Sequence, residues 1–138
     1  MTTTRQARGV DRYPSTVDHP ARQHYNPHLA PAEERALLRR NYLLLQAGQA
    51  TLGSIGANLL GIAVEPRTDA VVLHFAIAAH TTEVDEDIED IFLELDALLS
   101  GGPEEHSTLK TQIHVGQPDD TWAGRSHALL YLAKPTSQ

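Results

Sequence analysis

The sequence predicts a single α+β domain with the element order α-β-β-α-β-β. Two long segments carry apolar residues at helical spacing, and four shorter segments alternate apolar and polar residues around proline or glycine turns. From this order we expect one antiparallel four-stranded sheet with both helices packed on one face. The domain is expected to span residues 31–135, because 138 residues that are 41% hydrophobic suffice for one core and are too few for two.

Residues 1–30 differ in composition from the rest of the chain. They carry four arginines, two aspartates and three prolines, with few branched aliphatic residues and no periodic apolar pattern. Such a segment buries too little apolar surface to offset the entropy that is lost when it becomes ordered. We therefore expect residues 1–30 to form a flexible polar tail.

The first helix is expected to begin at Pro31, because proline is favoured in a first helical turn, where Glu33 and Glu34 also complement the helix dipole. It should end near Gly53 and Gly56, since glycine is favoured just after a helix. Its apolar residues occupy two sides, so this helix is either central in the domain or partly used in self-association. The broader side holds Leu37, Leu38, Asn41, Leu44, Leu45, Gly48, Leu52 and Ile55, and the second side holds Leu43, Ala47 and Ala50.

The first two strands are predicted to form a β-hairpin. Residues 60–65 are mostly apolar, residues 66–69 read Pro-Arg-Thr-Asp, and residues 70–78 alternate. A polar turn with proline between two such runs is typical of a hairpin. One face of its second strand should carry Val71, Leu73, Phe75 and Ile77, and the other Val72, His74 and Ala76.

The second helix has the clearest pattern in the chain. Thr81 or Thr82 is suited to cap it, and Asp85 follows Thr82 by three residues, as in a capping box. Residues 101–103, which read Gly-Gly-Pro, should end it. Its apolar stripe comprises Val84, Ile88, Ile91, Phe92, Leu95, Leu98 and Leu99. Two further strands are predicted at residues 108–115 and 126–133, joined by an irregular connection.

The composition excludes several classes of function. The chain has 11 basic and 18 acidic residues, which argues against a general nucleic-acid-binding or membrane-binding protein. It has no cysteine, which excludes disulfides, thiolate metal sites and cysteine nucleophiles. No apolar run approaches the ~18–20 residues that cross a bilayer, and the start lacks a secretion signal, so we expect a cytoplasmic protein. Phosphate-binding loops, calcium loops and nucleophile elbows are missing from the sequence, so we predict no catalytic residue, cofactor or metal ligand.

The polar side of the second helix is strongly acidic. Between Glu83 and Asp96 there are eight acidic residues and no basic one. Leu93 falls almost opposite the apolar stripe, and an apolar residue rimmed by acids is typical of a small anchor for a basic partner. We therefore predict a binding site for a protein with a basic surface. Its residues are Glu86, Glu89, Asp90, Leu93 and Glu94.

A longer pattern resembles a known group of proteins. Residues 42–59 read YLLLQAGQATLGSIGANL and are followed by GIAVE at residues 61–65. A helix ending in Leu-Gly-x-Ile-x-x-Asn-Leu, then a hairpin and an acidic helix, is similar to small immunity-type proteins encoded beside bacterial polymorphic or contact-dependent toxins. The resemblance covers residues 42–99 and implies that the protein neutralises a cognate toxin by binding it. An acidic surface suits this role, because nuclease toxins carry basic substrate channels. The proline-containing tail is not part of the pattern, which leaves room for an adaptor function.

Two other functions remain open from the sequence. One is a homodimeric structural or regulatory adaptor, with the second apolar side of the first helix as its seam. The other is a small enzyme that uses a histidine-bearing sheet face. If neighbouring strands align His74, His114 and His127, these three residues would form a titratable cluster.

Overall fold

The computed structural model of the protein describes residues 29–135. Within this range there are two α-helices, four strands and one 3₁₀ helix, which confirms the α+β class. The tail predicted for residues 1–30 lies outside the described residues, apart from its last two. In chain order the elements are α1 (Pro31–Ala50), β1 (Leu59–Pro66), β2 (Ala70–Ile77), α2 (Thr82–Leu99), β3 (Thr108–Val115), the 3₁₀ helix (Ala123–Ser126) and β4 (Ala128–Leu132). The 3₁₀ helix falls where the sequence predicted an irregular connection and the start of the last strand.

The chain divides into two compact units, Met1–Tyr42 and Leu43–Gln138. The described part of the first unit is the beginning of α1, which starts at Pro31 as predicted. The N–H of Ala30 donates to Oε1 of Glu33 at 2.9 Å, and the N–H of Glu34 donates to the carbonyl of Ala30 at 2.9 Å. The first of these bonds satisfies a backbone N–H that would otherwise lack a partner at the helix start, and the second is the first backbone hydrogen bond of the helix.

In the second unit, α1 buries the narrower of its two apolar sides. Leu43, Ala47 and Ala50 are buried, whereas Leu45 and Leu52 are exposed. A homodimer seam on that narrower side, which was the alternative left open from the sequence, does not fit this burial, because residues buried inside one chain are not available to a second copy. The helix ends at Ala50, and Gly53 follows with a φ of +81°, a conformation that glycine adopts without strain.

The sheet has the strand order β3-β2-β1-β4 and is mixed. Strand β1 pairs antiparallel with both β2 and β4, whereas β2 pairs with β3 in parallel. The prediction of an antiparallel sheet was therefore wrong. A helix that follows a strand returns the chain to the end at which that strand began, so the next strand can run beside it in the same direction. Helix α2 makes such a connection, and Ala70 lies opposite Thr108 at the start of both strands.

The two central strands are buried on both faces. One face of β2 carries the predicted apolar row, which is fully buried. On the other face, Ala63 and Ala76 form a cluster with Trp122, and Leu60 packs against it.

Helix α2 is capped by Thr81, whose Oγ1 accepts the N–H of Val84 at 3.0 Å. It buries five residues of its predicted stripe, namely Val84, Ile88, Ile91, Leu95 and Leu99. Neither described helix is long and apolar enough to cross a lipid bilayer.

Candidate functional site

The acidic side of α2 is directed to solvent. The five residues predicted to bind a partner are all exposed, and Leu93 is 55% exposed. Within residues 29–135, no basic side chain forms an ion pair with Glu86, Glu89, Asp90 or Glu94. The nearest such contact on this helix joins Nδ1 of His80 to Oδ1 of Asp85 at 3.2 Å, at the start of the helix. The negative charge is therefore not neutralised by the described part of the chain.

A groove lies between the end of α1 and the middle of α2. Two exposed leucines line it, Leu52 at 77% exposure and Leu93 at 55%. Asp90 and Glu94 line the same groove, which we call the Leu52–Leu93 groove. Its remaining lining residues are Gln49, Ala50 and Ser54. The groove thus combines exposed apolar side chains with carboxylates, as expected for the docking of an apolar residue beside a positive charge.

A second group of polar residues lies at one end of the sheet. Ala63 is paired with His74 on β2, so Glu65, two residues further along β1, shares a face with His74. Val64 is paired with Ala128 on β4, which brings His127 beside Glu65. Two neighbouring strands and the residue before β4 therefore contribute to one set of side chains, Glu65, His74 and His127, which we call the Glu65 cluster.

The polar atoms of this cluster converge on one carboxylate. Nε2 of His74 lies 2.7 Å from Oε1 of Glu65, and Nε2 of His127 lies 3.4 Å from the same oxygen. The two imidazole rings are stacked, with centroids 5.2 Å apart and an interplanar angle of 13°. Arg67 approaches from the turn side and donates through Nε to Oε2 of Glu65 at 2.8 Å and through Nη2 to Oε1 at 3.2 Å.

These contacts keep Glu65 ionised. The hydrogen bond from Arg67 is the largest influence, and the hydrogen bond with His74 and the charges of His127 and Arg67 act in the same direction. Together they outweigh the effect of burial and lower the pKa of Glu65 from 4.5 to about 2. In return, the carboxylate raises the pKa of the Arg67 guanidinium.

The lowered pKa of Glu65 predicts a defined loss of stability in acid. Because its folded-state pKa is about 2 and its ordinary value is 4.5, the carboxylate stabilises the folded protein above pH 4.5. That stability is lost as the pH falls from 4.5 towards 2. We expect the free energy of unfolding to fall more steeply across this window in the unchanged protein than in Glu65→Gln. Urea unfolding at several pH values, with a chelator present, measures the difference; parallel curves would contradict the prediction.

The Glu65 cluster borders the covered face of the sheet. His74 is almost fully buried, and its Nδ1 has no hydrogen-bond partner within residues 29–135. The same holds for Nε1 of Trp122, whose ring lies beside Gly124 of the 3₁₀ helix. A Cβ at Gly124 would fall 2.5 Å from Cζ2 of Trp122 and 2.7 Å from Cβ of His74. Glycine is therefore required here for the 3₁₀ helix to approach the sheet.

The cluster of three histidines that the sequence left open forms only in part. His74 and His127 come together, although His127 precedes β4 instead of lying within a strand. His114 lies on β3, and its Nε2 is buried near Gly116 without a hydrogen-bond partner in the described part of the chain. Sequence analysis missed Glu65 and Arg67. The signal available for Glu65 was its position on the strand facing His74 across the predicted hairpin.

Comparison with known proteins adds no family assignment. No protein-family model matches the chain, and no curated protein matches it.

Proposed function

We propose that the protein is a non-enzymatic binding module that neutralises a basic protein partner, in the manner of immunity-type proteins, through the acidic side of α2 and the Leu52–Leu93 groove. The observation that carries this proposal is an exposed Leu93, 55% accessible, flanked by Asp90 and Glu94. An apolar side chain that loses its water on binding contributes affinity, and the negative charges around it orient a basic partner.

The electrostatic argument supports a basic partner in particular. Like charges at one-turn spacing destabilise an isolated helix by a few tenths of a kcal/mol per pair, roughly. Helix α2 carries such pairs, for example Glu86 with Asp90 and Asp90 with Glu94, and it has no basic residue. A positively charged partner would relieve this repulsion on binding, and the negative field would accelerate the encounter.

The proposal is tested with the protein encoded beside this chain in the genome, as the immunity-type resemblance suggests. We expect a stable complex, and we expect the double variant Glu86→Lys/Asp90→Lys to lower the association rate constant at least about tenfold at low salt. The matched control is Asp69→Lys/Asp120→Lys, which makes the same change in net charge at two exposed positions outside α2. Stopped-flow association at two salt concentrations distinguishes a local effect from one of total charge.

The apolar anchor is tested separately by Leu93→Ser. Truncation of a buried anchor at an interface typically costs about 2 kcal/mol or more, so we expect the dissociation rate constant to rise at least about tenfold. Leu45→Ser is the control, because Leu45 is also an exposed leucine but does not line the groove. Equal effects of both pairs of variants, or no effect of either, would remove the acidic side of α2 from the binding surface.

A further inference from the structure

The Glu65 cluster contains the donor set of a transition-metal site. Two imidazole nitrogens and one carboxylate oxygen lie within 4.8 Å of one another. This His₂Glu combination is a ligand set that zinc uses in proteins, with a fourth position left to water or substrate. Nitrogen and oxygen ligands also suit the neighbouring divalent transition metals, whereas magnesium and calcium prefer oxygen alone.

The scaffold favours a defined site. Glu65 is near the end of β1 and His74 is inside β2, while His127 lies directly before β4, which pairs with β1. The site is closed on the side of His74, whose side chain is 2% exposed, and open on the side of His127, whose side chain is 32% exposed. Solvent therefore reaches the cluster on the side of His127, which provides a path for an ion.

We propose that Glu65, His74 and His127 bind one divalent transition-metal ion, for which Zn²⁺ is the expected occupant. This proposal departs from our expectation, from the sequence, of no metal ligand: Glu65 and His74 lie on one hairpin, but His127 is far from them in the chain and joins them only because β4 pairs with β1. This inference is independent of the partner-binding surface, since none of its ligands lies on α2.

Two local features set the expected affinity. Ligand atoms around a tetrahedral ion are about 3.4 Å apart, given metal–ligand distances of about 2.1 Å. The 2.7 Å contact between His74 and Glu65 must therefore open, and Nε2 of His74 must be the unprotonated ring nitrogen to become a ligand. Because a nitrogen lone pair lies in the plane of its ring, the imidazole of His127 must also rotate out of its stacked position to point at the same ion. Nδ1 of His74 would then carry the proton without a hydrogen-bond acceptor in the described residues. Metal-binding histidines normally have such an acceptor, so we expect micromolar rather than nanomolar affinity.

Arg67 competes with the ion for the carboxylate. Its guanidinium bonds to both oxygens of Glu65, and its side chain is 48% exposed, so it is able to turn into solvent when an ion arrives. A cation beside the site opposes the binding of a second cation. Arg67→Gln should therefore raise the Zn²⁺ affinity several-fold, an effect opposite in sign to that of removing a ligand.

The experiment is a calorimetric titration of the full-length, metal-free protein with Zn²⁺. We expect one ion per chain in the cluster and at least a tenfold loss of affinity in both Glu65→Gln and His127→Gln. Co²⁺ added in place of Zn²⁺ should give the visible absorption of a four-coordinate site, and this absorption should be lost in the same two variants. His127→Gln keeps the test decisive if Glu65→Gln fails to fold, because His127 lies at the open side of the cluster.

Controls address the other histidines of the chain. His80→Gln changes an exposed histidine that pairs with an acid, and His24→Gln/His28→Gln changes two histidines of the N-terminal segment. Both should leave the cluster ion in place with unchanged affinity. The proposal is overturned if Zn²⁺ binds as tightly to Glu65→Gln and His127→Gln as to the unchanged protein. It is also overturned if all binding disappears in His24→Gln/His28→Gln.

Discussion

Replacement of Trp122 by alanine should lower the free energy of unfolding by about 3–5 kcal/mol, the range typical of a large aromatic residue removed from a core. Trp122 is 2% exposed and forms the apolar cluster on the second face of the sheet with Ala63 and Ala76. Its buried apolar neighbours in this cluster, Ala63 and Ala76, are too small to fill the cavity. Urea unfolding followed by far-ultraviolet circular dichroism measures the change, because the variant loses the chain's one tryptophan.

Trp122→Phe is the matched comparison. Phenylalanine is smaller, but it also removes the buried Nε1–H, which has no hydrogen-bond partner in the described residues. A buried donor without a partner costs about 1–3 kcal/mol, so its removal should offset much of the lost packing. We expect Trp122→Phe to be clearly less destabilising than Trp122→Ala. Similar losses in both variants, or a loss below about 1 kcal/mol in Trp122→Ala, would contradict this account of the cluster.

Two glycine substitutions should change stability in opposite directions. Gly124→Ala places a methyl group 2.5–2.6 Å from the Trp122 ring and 2.7 Å from Cβ of His74, so either the 3₁₀ helix or the sheet must shift. Overpacking of this kind costs about 1–3 kcal/mol. Gly48→Ala lies within α1, where the new Cβ meets only Cδ1 of Leu130 at 3.6 Å, an ordinary contact. Alanine in a helix interior is favoured over glycine by about 0.5–1 kcal/mol.

Thermal unfolding of the two glycine variants beside the unchanged protein tests this contrast. We expect a lower midpoint for Gly124→Ala and a higher one for Gly48→Ala. Both changes add the same methyl group. If both variants shifted the unfolding midpoint in the same direction, the geometry around Gly124 would not determine the result.

Helix α2 was predictable because its pattern is local. Its apolar residues recur at helical spacing, and the acids occupy the other positions, so the exposure of Glu86, Asp90 and Leu93 follows from periodicity alone. The buried side of α1 was harder to identify. Hydrophobicity favoured the leucine-rich side, but the structure buries Leu43 with Ala47 and Ala50 and leaves Leu45 exposed. Small residues permit close packing of a helix, and a pattern ranked by hydrophobicity undervalues them.

The sheet order was not predictable from adjacent segments. Residues 108–115 and 126–133 are consecutive predicted strands, yet β3 and β4 lie at opposite edges of the sheet. The same limitation concealed the Glu65 cluster. Glu65 and His74 are related by one hairpin, but His127 joins them only because β4 pairs with β1. Long-range pairing of this kind depends on the whole core rather than on any single segment.

The parallel pairing of β2 with β3 has a consequence for how the chain acquires its structure. Ala70 and Thr108 are partners, so the edge of β2 stays open until α2 and the segment after it have been synthesised. Strands β1 and β2 close through a short turn and form early, whereas the ordering of β3 must wait for a much longer loop to close. A ribosome-bound or truncated chain that stops before Thr108 would expose the unpaired backbone of an apolar strand. Such a strand edge is a template for pairing between chains, so the segment from Thr108 onward protects the preceding part of the chain from self-association.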